Sequence, residues 1–183
     1  MIDIRPATSG DISAITRIYA DAVKNGTASF ELDPPDEREM ARRQAHVIER
    51  NYPYLVAELD GELAGYAYAG PFHTRPAYHW SVEDSIYVAR PMHRLGIGRA
   101  LLQGLIVEAE RLGFRQMAAV IGDPAVQKPS IALHTALGFR LVGTLQTVGF
   151  KHDRWLDIVM MQRPIGAGAT TPPGEEVASP QPR

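Results

Sequence analysis

The sequence predicts an α/β domain built around a mixed sheet, and three observations carry that prediction. Segments with apolar residues at every second position alternate with segments of three- and four-residue spacing, in the order β-α-α-β-β-β-α-β-α-β-β. The 183 residues, 45% apolar and 22% charged, suit one compact domain with its own core. There is no cysteine, so disulfides, thiolate metal sites and a cysteine nucleophile are excluded.

Ile2 to Arg5 alternates as a short strand and stops at Pro6. Asp11 is placed to cap a helix whose buried face is Ile12, Ile15, Tyr19, Ala22 and Val23. A loop from Asn25 to Glu31 follows, and Asp36 starts a second helix running to about Arg50. Tyr54–Leu59 and Glu62–Ala69 read as strands joined by a hairpin turn at Asp60-Gly61, a pair that tolerates positive φ. After a loop from Gly70 to Tyr78 comes the strand Trp80–Ala89 and a turn at Arg90-Pro91. The long helix from about Gly96 to Leu112 carries Ile97, Leu101, Leu105, Ala109 and Leu112 on one face, and Gly113 ends it. Gln116–Ile121 is a strand, Ser130–Leu137 a short helix stopped by Gly138, and Leu141–Leu145 and Trp155–Gln162 are the last strands. From Pro164 to Arg183 no apolar period remains, so the domain is expected to occupy residues 1–163 and to be followed by a flexible tail.

A formal net charge of −2 gives no general attraction to nucleic acid or to an anionic membrane. The first residues lack a basic stretch followed by an apolar one, and no apolar run approaches the roughly 20 residues that span a bilayer. A soluble, cytoplasmic protein is the expectation. His73, His79 and His152 are neither paired at helical spacing nor joined to a carboxylate cluster, so no metal is expected.

The most informative segment runs from Ser85 to Ala100. A strand feeds a turn with two glycines, Gly96 and Gly98, and a helix opens within it. The first amides of a helix have no intrahelical partner, and the helix dipole adds partial positive charge there. Together with glycine's permissive backbone they make a cradle for a diphosphate, and Arg94 and Arg99 add charge beside it. On the local residues alone, a tight strand-to-helix turn is an equal reading. The dinucleotide fingerprint is excluded, because its third glycine falls on Leu101.

The wider pattern resembles the GNAT N-acetyltransferase superfamily, and within it the phosphinothricin acetyltransferase-like branch, which includes enzymes acting on methionine sulfone, methionine sulfoximine and arsinothricin. The resemblance rests on Thr27-Ala28-Ser29-Phe30, Tyr68-Ala69-Gly70-Pro71-Phe72, Arg75-Pro76-Ala77-Tyr78, the run Trp80 to Val88, the run Ser130 to Phe139 and the run Val148 to Asp157. It implies a mixed, mostly antiparallel sheet of about seven strands whose central strands splay to admit acetyl-CoA. It also implies that Ile86, Tyr87 and Val88 orient the acetyl and pantetheine groups through their main chain. His93, Arg94, Leu95, Gly96, Ile97 and Gly98, with Arg99 beside them, would take the diphosphate. Two departures stand out: His93 occupies a position that usually holds Gln or Arg, and Gln127 falls where an Asn commonly meets the coenzyme.

Acetyl transfer from a thioester to an amine requires that the ammonium lose a proton, that the carbonyl oxygen find a donor, and that a thiolate leave. Period two places Ser81, Glu83, Ser85 and Tyr87 on one strand face. The resemblance makes Glu83 the base, acting through water; a structural ion pair with Arg75 or another cation is the competing reading. His134 falls within the buried stripe of its short helix, where a core histidine would look the same. The resemblance places it beside the amine and thioester sulfur, taking a proton from one or giving one to the other. For the anionic head of an amino-acid substrate Arg75 is the expected guanidinium, with Tyr78, Phe30 and Thr27 as the wall and Lys151 or Arg154 as a further charge. Small-molecule amine acetylation is therefore expected. Acetylation of a peptide N-terminus or lysine, and a non-catalytic acyl-CoA module, are the alternatives. The resemblance further implies a homodimer with Val148 to Trp155 near the partner.

Overall fold

The computed structural model describes residues 1–174. Seven strands form a single sheet in the order β1-β2-β3-β4-β5-β7-β6. They are β1 (Ile2–Pro6), β2 (Tyr54–Leu59), β3 (Glu62–Pro71), β4 (Ser81–Val88), β5 (Gln116–Gly122), β6 (Arg140–Lys151) and β7 (Arg154–Pro164). Every neighbouring pair is antiparallel except β4 and β5, which run parallel. A parallel pair needs a crossover, and α3 (Ile97–Arg111) supplies it. The remaining helices are α1 (Ile12–Asn25), α2 (Glu37–Glu49) and α4 (Lys128–Ala136).

Side chains alternate across the sheet, so it carries a core on each face. On one face Leu101, Leu102 and Leu105 of α3 meet Val82, Met117 and Phe114, with Ile86 and Val88 packed at the margin. On the other, Ile15, Tyr19 and Val23 of α1 and Met40 of α2 cover Tyr54, Val56 and Tyr66, with Tyr87 against them. Truncating a fully buried leucine such as Leu105 costs about 2–5 kcal/mol, so either layer alone is a large share of the stability.

Local signals act as read at several points. Asp36 accepts from the Glu39 amide at 2.8 Å and caps α2, and Asp60 and Gly61 both take positive φ (52° and 86°) in the β2–β3 turn. Asp11 behaves differently. It makes no cap to α1; its carboxylate takes Arg5 at 2.7 Å and the Thr8 amide at 2.7 Å. Arg5 draws the Asp11 carboxyl down to about 2, against the opposing effect of burial. The expected strand at 141–145 is the first half of the longer β6, which continues to Lys151 through a register shift near Thr147 (φ 53°). Packing also continues past Arg163. Pro164 pairs with Gln116, and Ile165 lies 1% exposed in the core with its amide on the Arg115 carbonyl at 2.9 Å. One apolar residue at the right place suffices for that, without any period. Residues 175–183 of the expected tail lie outside the described residues. Among the described residues no helix is long and apolar enough to cross a membrane.

Candidate active site

The parallel pair separates soon after it forms. Ser81–Asp84 pair with Gln116–Ala119, but beyond that β4 continues through Ser85–Val88 bonded only to β3, and β5 continues through Val120–Gly122 bonded only to β7. One edge of each strand is thereby left without a neighbouring strand, and main-chain groups there must find other partners. Ile86 and Val88 pack into the α3 core and Tyr87 sits edge-on to Tyr19 at 5.0 Å, so these three residues have only main chain to offer the cleft.

At the cleft's end α3 begins. Gly96 adopts φ 88°, ψ −4°, a left-handed conformation that a side chain would strain, and no side chain caps the helix. The amides of Ile97, Gly98 and Arg99 have no carbonyl of their own helix to meet. Ile97, 1% exposed, anchors the turn. Arg94 and Arg99 are exposed and have no acidic partner among the described residues. An uncapped helix end with free cations beside it fits a diphosphate. His93 departs from expectation: its Nε2 faces the Val88 carbonyl at 3.0 Å and its amide donates to the Arg90 carbonyl at 3.2 Å, so both groups are engaged within the chain. Gln127, at the start of α4, leaves its side-chain amide without a partner among the described residues.

Glu83 and Asp84 are neighbours on β4 and face opposite sides of the sheet. Glu83 is half-buried and makes no ion pair among the described residues; the Arg75 pairing is not formed. Burial, and then the nearby Asp84, push its carboxyl above the ordinary value of 4.5. A carboxylate with raised proton affinity on a cleft strand suits general-base work at neutral pH.

On the other face Asp84 meets His134, which is 3% exposed. His134 Nε2 lies 3.0 Å from Asp84 Oδ2, and Nδ1 lies 2.7 Å from the Ser130 carbonyl, which can only accept. Nδ1 therefore carries hydrogen, and the Nε2–Asp84 contact holds a second proton. Burial lowers the imidazole's proton affinity, but the Asp84 carboxylate and the Ser130 carbonyl outweigh it and leave it raised. No lone pair of the ring is free. The expected neutral imidazole collecting the amine's proton does not match this geometry. Asp84 Oδ1 is buried without a hydrogen-bond partner.

The loop of residues 26–31 is tied to distant elements. Thr27, 5% exposed, donates to Asp123 Oδ2 at 2.8 Å, and Arg154 donates to the same oxygen. Lys151 donates to the Ser29 carbonyl at 2.7 Å, and burial lowers the proton affinity of its amine. The Phe30 ring lies against Gly122 and Gly149 so closely that a Cβ on either would fall within 2.6 Å and 2.2 Å of it. Thr27 is thus a strut whose hydroxyl is consumed inside the protein, and Arg154 braces it from an exposed position through one guanidinium nitrogen. Arg75 and Tyr78 stand on an exposed turn, the Arg75 side chain without a partner among the described residues and the Tyr78 ring against His73 at 4.8 Å. A cavity of about 370 Å³ lies instead beneath α2, walled by Tyr19, Tyr54, Tyr66, Tyr68 and Arg43. Tyr68 is opposite Ser85 in register, which brings this cavity beside the Glu83 face of β4.

Asp84 and Asp123 escaped the sequence reading. Asp84 had a signal, since a second carboxylate inside a central strand is as costly as the first. Asp123 had none, since an Asp-Pro after a strand reads as an ordinary turn.

Geometry of this kind suits one class of enzyme: a transferase that lays a long coenzyme between parted strands and grips its diphosphate on main-chain amides. The comparisons with known proteins agree. Residues 4–160 match the acetyltransferase (GNAT) domain family. Phosphinothricin N-acetyltransferase of Alcaligenes faecalis is 49% identical over 170 residues, covering 93% of this chain and 86% of that protein. The L-methionine sulfoximine/L-methionine sulfone acetyltransferase of Pseudomonas aeruginosa is 41% identical over 165 residues, 87% of this chain and 92% of the relative. A crystal structure of a GNAT superfamily phosphinothricin acetyltransferase from Sinorhizobium meliloti in complex with AcCoA superposes with a TM-score of 0.93 at 48% identity, covering 97% of this chain and 95% of that one. The chain belongs to the GNAT acetyltransferase family, whose members use acetyl-CoA as acyl donor.

Proposed function

We propose that this enzyme moves the acetyl group of acetyl-CoA to the α-amine of a small amino acid with a second anionic or strongly polar head, of the phosphinothricin, methionine sulfone/sulfoximine or arsinothricin type. The observation that carries the chemistry is Glu83: a half-buried carboxyl, free of any cation among the described residues, on the strand that lines the cleft. The similarity to phosphinothricin and methionine sulfoximine acetyltransferases supports the choice of acceptor.

Glu83 takes a proton from the substrate ammonium through water. The free amine attacks the thioester carbonyl carbon, whose oxygen is met by main-chain N–H groups of the unpaired β4 edge. The C–N bond forms, the C–S bond breaks, and the departing thiolate takes, through water, the second proton that the nitrogen sheds as it becomes an amide. His134, held protonated between Asp84 and Ser130, contributes its positive charge from the α4 side of the cleft. Ile97, Gly98 and Arg99 hold the diphosphate through their amides, Arg94 and Leu95 complete the turn, and Gln127 stands ready with its free amide. Phe30 walls the acceptor site; Arg75 and Tyr78, on their exposed turn, would have to close toward it to meet the acceptor's anionic head.

The enzyme works as a homodimer. Val148, Phe150 and Trp155 of the β6–β7 hairpin are each at least half exposed, with Leu141, Val142 and Leu145 beside them, an apolar surface a second copy would cover. Sedimentation at micromolar concentration is expected to return twice the 20.1 kDa chain mass. Its need for acetyl-CoA, an intracellular metabolite, argues for the cytoplasm.

The deciding experiment is a thiol-release assay with acetyl-CoA across phosphinothricin, methionine sulfone, methionine sulfoximine, arsinothricin, ordinary amino acids and a lysine peptide. The anionic and oxidised amino acids are expected to give the highest kcat/KM. Preference for the peptide would overturn the acceptor assignment, and absence of calorimetric binding of acetyl-CoA to folded protein would overturn the rest.

A further inference from the structure

Asp123 follows the last residue of β5 and joins the 26–31 loop, the start of β7 and the approach to α4. It adopts φ 51°, which Asp and Asn tolerate better than other side-chain-bearing residues. Its carboxylate, only 3% exposed as a residue, receives Thr27 of the 26–31 loop at 2.8 Å and Arg154 from the start of β7. Its amide donates to the Asp157 carbonyl at 2.9 Å, and its carbonyl accepts the amides of Val126 and Gln127, at 3.0 and 2.9 Å, just before α4. The residue before it, Gly122, ends the stretch of β5 that faces the cleft and is the floor on which Phe30 rests.

We infer that Asp123 is a positioning residue for the acceptor: braced by Arg154, its carboxylate holds the 26–31 loop in place through Thr27, and thereby fixes where Phe30 stands at the open end of the cleft. The inference rests on the reading of Phe30 as part of the acceptor wall. The reach of the Asp123 carboxylate is selective: among the described residues the amino end of α3 shares no hydrogen bond with Asp123, Thr27 or Arg154, and Gln127 is held by the Asp123 main-chain carbonyl, which a side-chain change leaves in place. Loosening this clamp therefore alters the acceptor's side of the cleft and spares the coenzyme's. A residue that served stability alone would disturb both.

The test uses full-length D123N, which keeps the left-handed backbone and a neutral acceptor but removes the charge that Arg154 needs, and T27V, which removes only the loop's hydroxyl. For D123N the amino-acid KM is expected to rise about tenfold, the scale of one lost charge-assisted hydrogen bond, with kcat and the acetyl-CoA KM changed by less than about twofold. For T27V a rise of about threefold is expected, and the double variant should exceed either single one, because D123N weakens the Arg154 brace while T27V cuts the loop's own bond. Hydrogen exchange in residues 26–31 should speed up in both variants while residues 97–111 keep their protection. An unchanged amino-acid KM with unchanged exchange in the loop overturns the inference, as does an equal rise in both KM values. If D123N does not fold, T27V decides by the same criteria. If the wild-type protein acetylates none of the amino acids, the proposed activity falls and the exchange data alone judge the clamp.

Discussion

At its α3 end the cleft is built from main chain, whereas the end proposed for the acceptor is built from side chains. The α3 turn offers the amides that open a helix, a glycine at φ 88° and two arginines with no acidic partner among the described residues, all within residues 94–99. The acceptor end is assembled from residues far apart: Thr27 and Asp123 are separated by 96 positions, Lys151 and Ser29 by 122. A contiguous, backbone-made site depends on chain conformation and should yield to changes of backbone freedom. A dispersed, side-chain-made site depends on register among β5, β6 and β7, and should yield to loss of single polar groups or to small steric intrusions.

The largest effect is expected midway between the two ends. Glu83→Gln should lower kcat by about 10²–10⁴-fold with little change in the KM for acetyl-CoA. In the wild type, kcat/KM should fall as pH drops through a carboxyl value above the ordinary 4.5, since the base must be ionised to act; an inflection at or below 4.5 would remove Glu83 from that role. Next comes His134→Ala, which leaves the buried Asp84 carboxylate unpaired and should cost about 3–5 kcal/mol in urea unfolding. Because the folded-state imidazole value is raised, that pair stabilises most fully below pH 6.5 and weakens as pH climbs through the raised value. A wild-type stability profile flat across that window would contradict a charged pair.

Smaller changes sharpen the contrast between the ends. Gly149→Ala puts a methyl into the Phe30 ring and should destabilise by about 1–3 kcal/mol, with the amino-acid KM rising and the acetyl-CoA KM held. Gly96→Ala forces a side chain into the left-handed region at about 1–2 kcal/mol, and kinetics should display the mirror image: a weaker acetyl-CoA KM, an unchanged acceptor KM. If both glycine variants move the same constant, the two ends are not separable. The least effect is expected from Arg99→Gln, a rise of about two- to fivefold in the acetyl-CoA KM that fades with added salt.

Legibility in the sequence follows the same division. The α3 turn, the Asp60-Gly61 hairpin and the Asp36 cap were readable because each depends on residues within one short window. Asp11 was read as a helix cap because nothing local announces that Arg5 reaches its carboxylate first. His93 looked available for a phosphate until folding turned its ring onto Val88. The length of β6 was hidden by its exposure: a strand with apolar residues on an open face shows no alternation to read. Asp84, Asp123 and the burial of Thr27 are products of topology, and no spacing rule brings a residue at position 27 to one at 123.

The alternation of β4 sets a limit on how this chain can change. Glu83 and Asp84 sit one residue apart, so the strand is a thin partition with an acid on each side, one near the acceptor and one locked to the histidine of α4. An inserted or deleted residue between Ser81 and Asp84 would turn the wrong acid toward each compartment and leave a carboxylate where an isoleucine or valine now fills the core. The loops around this strand lie outside that constraint, but its count of residues is as fixed as any side chain it bears.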